Sequence, residues 1–277
     1  MHYAKRRFGQ HFLIDKMVID DIVALIGPKI GEHFVEIGPG AGALTVPLLA
    51  TGVALDVVEI DRDLVGELKK RFHDAETLTI HQAEALSFDF ENVVASGQKI
   101  RLVGNLPYNI STPVLFRMLE FKDHISDMTF MLQREVVARL AAKPGTKDYG
   151  RLSVMTQCQC QVESHFIVPP SSFEPPPQVY SSIVSLRPKP WPGTLADLRW
   201  LEKLVAIAFA QRRKILRNTL GTIIPSQELA KHDISESARA EQVSTEQFLQ
   251  LALSTAKMSE TQTPDGLQVA ENSSPTA

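Results

Sequence analysis

Short apolar runs alternate with amphipathic stretches through the first half of the chain. Helical spacing comes first, over 16–28, where Ile19, Ile22 and Ile26 recur on one face. Further segments that alternate between strand and helix patterns follow at 34–37, 44–50, 54–60, 62–72, 78–82, 91–96, 100–105, 113–120, 128–133 and 136–142. This alternation predicts an α/β fold with a parallel, doubly wound sheet and helices on both faces.

The pattern changes after residue 150. Stretches 152–168 and 181–186 alternate apolar and polar residues at period two, which predicts two antiparallel strands closing one edge of the sheet. The link between them, 169–177, contains too many prolines for a helix or a central strand.

Proline also marks the expected domain boundary, because 188–193 has the composition of a stiff linker. Helical spacing then runs from Leu201 to Leu220, and further helical patterns continue to about residue 256. We therefore expect a first domain over 1–187, a small helical domain over 194–256, and a polar, disordered tail over 257–277.

Composition narrows the class of protein. The chain has 277 residues, of which 44% are hydrophobic, and none of its apolar runs approaches the roughly 20 residues needed to span a bilayer. No secretory signal is visible at the N-terminus, so a cytoplasmic location is the simplest expectation. Cys158 and Cys160 are interpreted as small buried apolar residues rather than a reactive pair.

Charge is uneven although the net charge is only −3. Lys5, Arg6 and Arg7 precede any acid, and a later segment free of Asp and Glu carries further cations: Lys203, Arg212, Arg213, Lys214 and Arg217. A basic run most often forms only a solvated face, so charge alone does not establish RNA binding.

A glycine-rich turn follows the first sheet strand, with Glu36, Gly38, Gly40 and Gly42 at alternate positions. Such glycines let the backbone approach a ligand closely, and Glu59, at the end of the next strand, is placed to bind ribose hydroxyls. The pattern predicts an adenosine-containing cofactor, but it also fits the dinucleotide fingerprint and does not by itself separate NAD from S-adenosylmethionine.

Two features favour S-adenosylmethionine. An acidic neighbourhood suits a sulfonium and an ammonium group better than a pyrophosphate. Glu84, after the strand at 78–82, is placed to accept a hydrogen bond from the adenine amine, although it could instead be a surface acid.

The stretch 103–111 is the strongest candidate for chemistry. Its strand stops at Pro107 and presents Asn105, backbone carbonyls and Tyr108 at the carboxyl edge of the sheet, where ligands bind in open α/β folds. An amide, carbonyls and an aromatic plane form a slot for a flat heterocycle that bears an exocyclic amine. Adenine is such a heterocycle.

This stretch, Gly-Asn-Leu-Pro-Tyr-Asn-Ile-Ser-Thr-Pro, resembles the catalytic motif of the rRNA adenine N6-dimethyltransferases, specifically their KsgA (RsmA) branch. The resemblance extends to about residue 253 and includes 7–13, the glycine turn, 149–154, 173–181 and 211–214. It implies a Rossmann-like class I methyltransferase sheet that carries the catalytic site and the basic N-terminal segment, followed by a small rRNA-contacting helical domain.

Carried over by position, the resemblance implies a set of S-adenosylmethionine contacts: His11, Leu13, Gly38, Glu59, Glu84 and Asn105. Two positions depart from the family, which usually has Asn in place of His11 and Asp in place of Glu84. Imidazole still donates or accepts hydrogen bonds, and Glu84 adds only one methylene.

The expected chemistry needs no strong base and no metal. Asn105 through its side-chain oxygen, and Leu106 or Pro107 through a backbone carbonyl, would hold the two hydrogens of the adenine amine and direct its lone pair at the methyl donor. Tyr108 and Phe173 would stack on the base.

The resemblance also names the substrate as two adjacent adenosines in the 3′-terminal hairpin loop of small-subunit (16S) rRNA, in a partly assembled ribosomal subunit. The protein is expected to act as a monomer, and phosphates would be contacted by cations of the second domain: Arg212, Arg213, Lys214 and Arg217.

Three alternatives remain open. One is a large-subunit rRNA adenine methyltransferase of the macrolide-resistance type, which shares the Asn-x-Pro-Tyr core. A DNA adenine methyltransferase is less favoured, because no target-recognition insertion is visible. The third is a non-catalytic ribosome assembly factor, against which the intact motifs argue.

Overall fold

The computed structural model describes residues 10–94 and 98–260, with side chains as far as residue 256. The strands are β1 (Phe12–Leu13), β2 (His33–Ile37), β3 (Ala54–Glu59), β4 (Leu78–Gln82), β5 (Ile100–Asn105), β6 (Ile125–Gln133), β7 (Cys160–Val168), β8 (Phe173–Glu174) and β9 (Ser181–Pro188). The helices are α1 (Lys16–Ile26), α2 (Thr45–Ala50), α3 (Arg62–Arg71), α4 (Ser111–Glu120), α5 (Arg134–Leu140), α6 (Arg151–Gln157), α7 (Leu195–Ala210), α8 (Leu216–Leu220), α9 (Ser226–Lys231) and α10 (Thr245–Glu260).

A seven-stranded sheet in the order β4-β3-β2-β5-β6-β9-β7 organises the first part of the chain. Strands β2 to β6 pair in parallel, whereas β9 pairs antiparallel with both β6 and β7. The predicted parallel sheet with an antiparallel edge is therefore confirmed. Because the parallel strands end at the same edge, the turns that follow them meet there.

Both faces of this sheet are buried. Consecutive residues of β2 point into different apolar clusters, Phe34 into one and Val35 into the other, and neither is exposed to solvent. Successive β2 side chains thus pack alternately on the two faces of the sheet, and both faces are buried. This explains why the strand is a continuous apolar run rather than an alternating one.

Hydrogen bonds between polar side chains link the three parallel strands β2, β3 and β4. Asp56 on β3 accepts hydrogen bonds at 2.5 Å from His33 on β2 and from His81 on β4. Burial would raise the pKa of Asp56, yet these two hydrogen bonds outweigh it and hold the pKa below its usual value.

A second, two-stranded sheet is absent from the sequence-based prediction. In it β1 pairs antiparallel with β8, with Leu13 opposite Phe173. Next to it, Asp15 caps α1 and accepts a hydrogen bond from the Ser172 hydroxyl at 2.9 Å, so the N-terminal segment is tied to a part of the chain far away in sequence. Strands of two residues carry no periodic signal, which is why the pattern did not reveal them.

Three predicted segments were wrong in type or extent. The stretch 152–168 was predicted as one strand, but its first part is α6, whose residues 152–156 are all buried and therefore show no amphipathic helical period. The stretch 91–96 was predicted as a helix, but only a short 3₁₀ turn lies there, over Phe90–Asn92, and 95–97 lie outside the described residues.

The third error concerns the second part of the chain, where 201–220 was predicted as one helix. Instead α7 ends at Ala210 and α8 begins at Leu216, with a turn between them. The basic residues at 212–214 lie in that turn rather than on a helix.

The chain divides into two compact units between Trp191 and Pro192. The described part of the second unit has a helical core in which the buried Trp200 donates a hydrogen bond from its indole N–H to Thr255 at 2.9 Å. Helix α10 continues to Glu260, beyond the expected end near 256, while 261–277 and the basic residues at 5–7 lie outside the described residues.

Cys158 and Cys160 are buried free thiols, as interpreted from the sequence. In the described ranges no helix combines the length and the apolar character that a bilayer crossing would require.

Candidate active site

A cavity of about 250 Å³ opens at the carboxyl edge of the parallel strands. Its walls come from the turns after β2, β3, β4 and β5, and from the segment that contains β1. Most of the predicted cofactor and catalytic residues line this cavity: His11, Leu13, Gly38, Glu59, Glu84, Asn105, Leu106, Pro107 and Tyr108. The sheet topology thus brings together residues that are far apart in sequence.

The glycine turn forms one wall. Gly38 and Gly40 have φ angles of 68° and 56°, in the left-handed region that favours glycine. A Cβ at Gly40 would lie 3.1 Å from the Phe12 ring, so β1 packs directly against the turn. The Gly40 N–H in turn donates to a carboxylate oxygen of Glu59 at 3.3 Å.

Two buried carboxyl groups face this cavity. Burial raises the pKa of Glu36 to about 7. The nearby charge of Glu59 adds to this increase, and a 2.6 Å hydrogen bond from the Thr45 hydroxyl opposes it. Burial also raises the pKa of Glu59, although the Asp61 and Gly40 N–H groups partly offset it. Carboxylates that are costly to ionise in this way favour a cationic ligand and disfavour a pyrophosphate.

Asn105 is held in one orientation. Its side-chain N–H donates to the backbone carbonyl of His11 at 3.0 Å. Because the nitrogen is used in this way, the side-chain oxygen is left as the acceptor that Asn105 offers to the cavity. The preceding residue must be small, since a Cβ at Gly104 would come within 2.5 Å of the Ile37 carbonyl.

The turn after Asn105 also fixes Tyr108. Its hydroxyl lies 2.7 Å from the Ser181 hydroxyl, and its backbone carbonyl accepts a hydrogen bond from Ser111 at 3.1 Å. The Pro107 carbonyl already accepts the Ile110 N–H at 3.1 Å within the same turn. Of the two predicted backbone acceptors, Leu106 is therefore the better candidate.

His11 contributes differently from the expectation. Its ring Nδ1 lies 2.8 Å from the Pro175 carbonyl, which only accepts, so Nδ1 must carry a proton. The ring is stacked on Tyr108 with the centroids 5.8 Å apart. In this structure the His11 side chain braces the aromatic wall, and its backbone carbonyl orients Asn105.

Phe173, predicted to stack on the base, does not line the cavity. Only 3% of its surface is exposed, and it packs in the apolar cluster that includes Leu13, its partner across the two-stranded sheet. This arrangement gives Phe173 a supporting position beneath the wall formed by the N-terminal segment.

Some lining residues were missed by reasoning from the sequence, notably Gln10, Phe12, Ile60 and Ala83. Phe12 and Gln10 lie in the stretch 7–13 of the family resemblance, but their place in the cavity wall was not predicted, because it depends on the pairing of β1 with β8. Ile60 had a sequence signal, since it directly follows Glu59 at the end of a strand, and in the structure 46% of it is exposed.

The predicted RNA-contacting cations lie in the second unit and differ in their surroundings. Arg212 pairs with Glu241 at 2.7 Å and Arg217 with Glu236 at 3.3 Å. Their segment is free of acids in sequence, but later residues supply them. Arg213 and Lys214 are exposed, and neither has an ion-pair partner among the described residues.

Comparison with known proteins identifies the family of the chain. The family model for ribosomal RNA adenine dimethylase matches residues 1–257 of the chain. The chain belongs to the ribosomal RNA adenine dimethylase family. Among these dimethylases, the ribosomal RNA small subunit methyltransferase A of Nitrosospira multiformis is 51% identical over 249 residues, 90% of this chain and 95% of that protein. The protein of the same name from Pseudomonas aeruginosa is 48% identical over 258 residues, 93% of this chain and 96% of that protein.

Solved structures of a dimethyladenosine transferase and of an rRNA methyltransferase share the fold. A dimethyladenosine transferase from Plasmodium falciparum superposes with a TM-score of 0.78 at 26% identity, covering 90% of this chain and 98% of that one. The 23S rRNA methyltransferase ErmE superposes with a TM-score of 0.69 at 26% identity, covering 88% of this chain and 99% of that one. The class I methyltransferase fold expected from the sequence is thus confirmed, and the protein is an rRNA adenine dimethyltransferase by family.

Proposed function

We propose that this protein dimethylates N6 of two adjacent adenosines in the 3′-terminal hairpin loop of small-subunit rRNA, with S-adenosylmethionine as the methyl donor. The observation that carries the proposal is the oriented amide of Asn105: its nitrogen is bound to the His11 carbonyl, and the residue lines a cavity together with a glycine turn and two buried acids. Relatives of the protein that share about half of its residues are named as small-subunit methyltransferases, and this favours small-subunit rRNA over large-subunit rRNA as the substrate.

The cavity fits S-adenosylmethionine in shape and in charge. The glycine turn leaves room that a Cβ would fill. Burial destabilises the ionised forms of Glu36 and Glu59, and a bound cation would stabilise them. Gly38 and Leu13 would contact the donor directly, Glu59 would accept from ribose hydroxyls, and the exposed Glu84 would accept from the adenine amine.

When bound, S-adenosylmethionine supplies an activated methyl group. The protein's task is to make a weak nucleophile reactive, because the lone pair of the adenine amine is delocalised into the ring. Asn105 through its side-chain oxygen and Leu106 through its carbonyl would accept the two amine hydrogens and so localise that lone pair. His11 acts through Asn105, by holding the amide nitrogen away from the substrate.

Tyr108 supplies the aromatic face on which the target base stacks, because its ring lines the cavity and its hydroxyl is anchored to Ser181. Phe173 packs beneath the wall formed by the N-terminal segment. After one transfer, and loss of one amine proton to solvent, a single amine hydrogen remains, so either Asn105 or Leu106 suffices to hold the monomethylated base for a second transfer.

The proposal extends to the domains, the location and the oligomeric state. We place catalysis in residues 1–187, rRNA contact in the helical unit over 194–256, and the protein in the cytoplasm as a monomer with no metal. In the described ranges no group of His, Cys, Asp or Glu is arranged to hold a metal ion. Arg213 and Lys214 are the strongest candidates for phosphate contact, with Arg212 and Arg217 beside them.

The decisive experiment uses small and large ribosomal subunits from a strain that lacks the modification. Incubation with the protein and methyl-labelled S-adenosylmethionine should label only the 3′ end of the small-subunit rRNA, and mass analysis should show two dimethyladenosines. Label confined to the large subunit would establish the macrolide-resistance alternative instead.

Asn105→Ala tests the chemical step. Loss of the oriented acceptor should reduce the rate of methyl transfer by about 100-fold or more, a reduction comparable to that caused by removing an oxyanion-stabilising group. Subunit binding should change little, because Asn105 lies at the base of the cavity. Normal methyl incorporation by this variant would exclude the proposed role of Asn105.

A further inference from the structure

A patch of exposed apolar side chains lies at the rim of the catalytic slot and has no role in the mechanism above. Tyr180 is 51% exposed, Val179 is 42% exposed, and Ile167 on β7 is 51% exposed. Ile167 pairs across the antiparallel edge with Ser182, two residues after Tyr180, and Val179 directly precedes Tyr180 in the chain. We call Ile167, Val179 and Tyr180 the rim patch.

The rim patch is coupled to the slot by the backbone. Ser181, directly after Tyr180, is fully buried, and its hydroxyl lies 2.7 Å from the hydroxyl of Tyr108. The Tyr180 carbonyl accepts a hydrogen bond from the Arg134 N–H at 2.9 Å. The Tyr180 backbone is thus fixed on both sides, one residue from the group that anchors the base-stacking ring.

Cations outnumber acids in the segment that begins beside the rim patch. From Arg134 to residue 148 it carries four cations, Arg134, Arg139, Lys143 and Lys147, against two acids, Glu135 and Asp148. All four cations are exposed. Arg134, Arg139 and Lys143 form no ion pair with an acid in the described part of the chain. An exposed aromatic ring beside exposed cations is the combination that binds single-stranded nucleic acid, with stacking for the base and charge for the phosphates.

We infer that Tyr180 stacks on the base next to the target adenosine while Arg134 contacts the intervening backbone phosphate. This inference rests on the proposed function, which makes that neighbouring nucleotide the second adenosine of the pair. A target base can enter the slot only if it leaves its own stack, and a ring at the rim would replace the stacking that its neighbour gives up. Tyr180 is thus assigned as a positioning residue and not as a catalytic one.

The test compares Tyr180→Leu, which keeps an apolar side chain, with Tyr180→Trp, which keeps an aromatic plane. Equilibrium binding is measured on undermethylated small subunits in the presence of S-adenosylhomocysteine, so that the readout does not depend on methyl transfer. We expect about tenfold weaker binding for Tyr180→Leu and binding within about twofold of the wild type for Tyr180→Trp.

Kinetics supply a second readout. In Tyr180→Leu the KM for subunits should rise by about the same factor, with kcat and the affinity for S-adenosylmethionine unchanged. Arg134→Gln, which keeps the backbone N–H to Tyr180, should lower the slope of log affinity against log salt by about one.

Equal binding by Tyr180→Leu and the wild type would overturn the inference. Equally weakened binding by Tyr180→Leu and Tyr180→Trp would overturn it too, because the patch would then fit a shaped protein surface rather than a base. Methyl incorporation by the wild-type protein is scored separately, so failure of the proposed function is distinguishable from failure of the role given to Tyr180.

Discussion

At the scale of single residues, the site depends on polar groups whose neighbouring donor or acceptor atoms already form hydrogen bonds within the protein. Asn105 presents its oxygen because its nitrogen is bound to His11, and Leu106 is favoured over Pro107 because the Pro107 carbonyl closes a turn. Glu36 differs, because it is a buried acid whose raised pKa favours the uncharged carboxyl until a cationic ligand binds beside it.

Glu36 should make both stability and ligand affinity depend on pH. Because burial raises its pKa from 4.5 to about 7, the folded ligand-free protein holds this proton more tightly than the unfolded chain does. Its contribution to stability is therefore complete below about pH 4.5 and is lost as the pH rises to about 7. Glu36→Gln should remove that pH dependence, which amounts to roughly 3 kcal/mol, as measured by denaturant unfolding at pH 5 and pH 8.

Ligand binding should show the reverse dependence. A cationic ligand binds the ionised form of Glu36, so the affinity for S-adenosylmethionine should increase between pH 6 and pH 8, and binding below the pKa should release a proton. Calorimetry in buffers of different ionisation enthalpy measures that release. A pH-independent affinity in the wild type, or an equal pH effect in Glu36→Gln, would contradict this role.

Sequence reasoning identified residues that line the cavity where these residues are contiguous. Residues 36–43 and 103–111 each combine a strand end, a turn and polar side chains in one stretch, so they could be recognised as a candidate site from the sequence. The role of the His11 carbonyl was not predictable, because a backbone group has no residue-specific signature. Nor were the ion pairs of Arg212 and Arg217, since their acids come from a later segment.

At the scale of secondary structure elements, the close approach of β2 and β5 fixes the floor of the site. Gly104 allows this approach, because any side chain there would meet the Ile37 carbonyl just before the glycine turn. The long parallel strands were predictable because burial on both faces makes them continuous apolar runs. Helix α6 and the β1–β8 pair were not, because a helix buried on all sides and a two-residue strand both lack a period.

Gly104→Ala should destabilise the first unit by about 1–3 kcal/mol, since a core methyl group would force β2 and β5 apart. Gly66→Ala is the matched control. Gly66 lies inside α3, and a Cβ there meets nothing within 4 Å, so this change should stabilise the protein by about 0.5–1 kcal/mol. Thermal unfolding of both variants measures whether the free energy of unfolding falls or rises. An unchanged stability of Gly104→Ala would show that β2 and β5 can accommodate the methyl group.

At the scale of the whole molecule, the net charge of −3 conceals local positive surfaces. In the second unit two exposed cations without an acidic partner in the described structure, Arg213 and Lys214, lie side by side in the turn between α7 and α8. The prolines at 188–193 predict a domain boundary, and the chain divides into two compact units between Trp191 and Pro192.

Reversing the charge of Arg213 and Lys214 should weaken subunit binding and lower the salt slope by about two, one for each phosphate that is no longer neutralised. Affinity for S-adenosylmethionine should not change. Lys203→Glu, on the same unit but on α7, is the control for a change in overall charge. An unchanged salt slope in the double variant would remove this turn from the rRNA interface.

The pairing of β1 with β8 also has a consequence for how the enzyme matures during its own synthesis. Residues 172–174 supply the strand pairing and the Ser172–Asp15 hydrogen bond of the N-terminal wall, so a nascent chain shorter than this has the glycine turn but lacks these two ties. An arrested chain ending before residue 170 should leave residues 10–15 more open to proteolysis than a chain extended through β9 does.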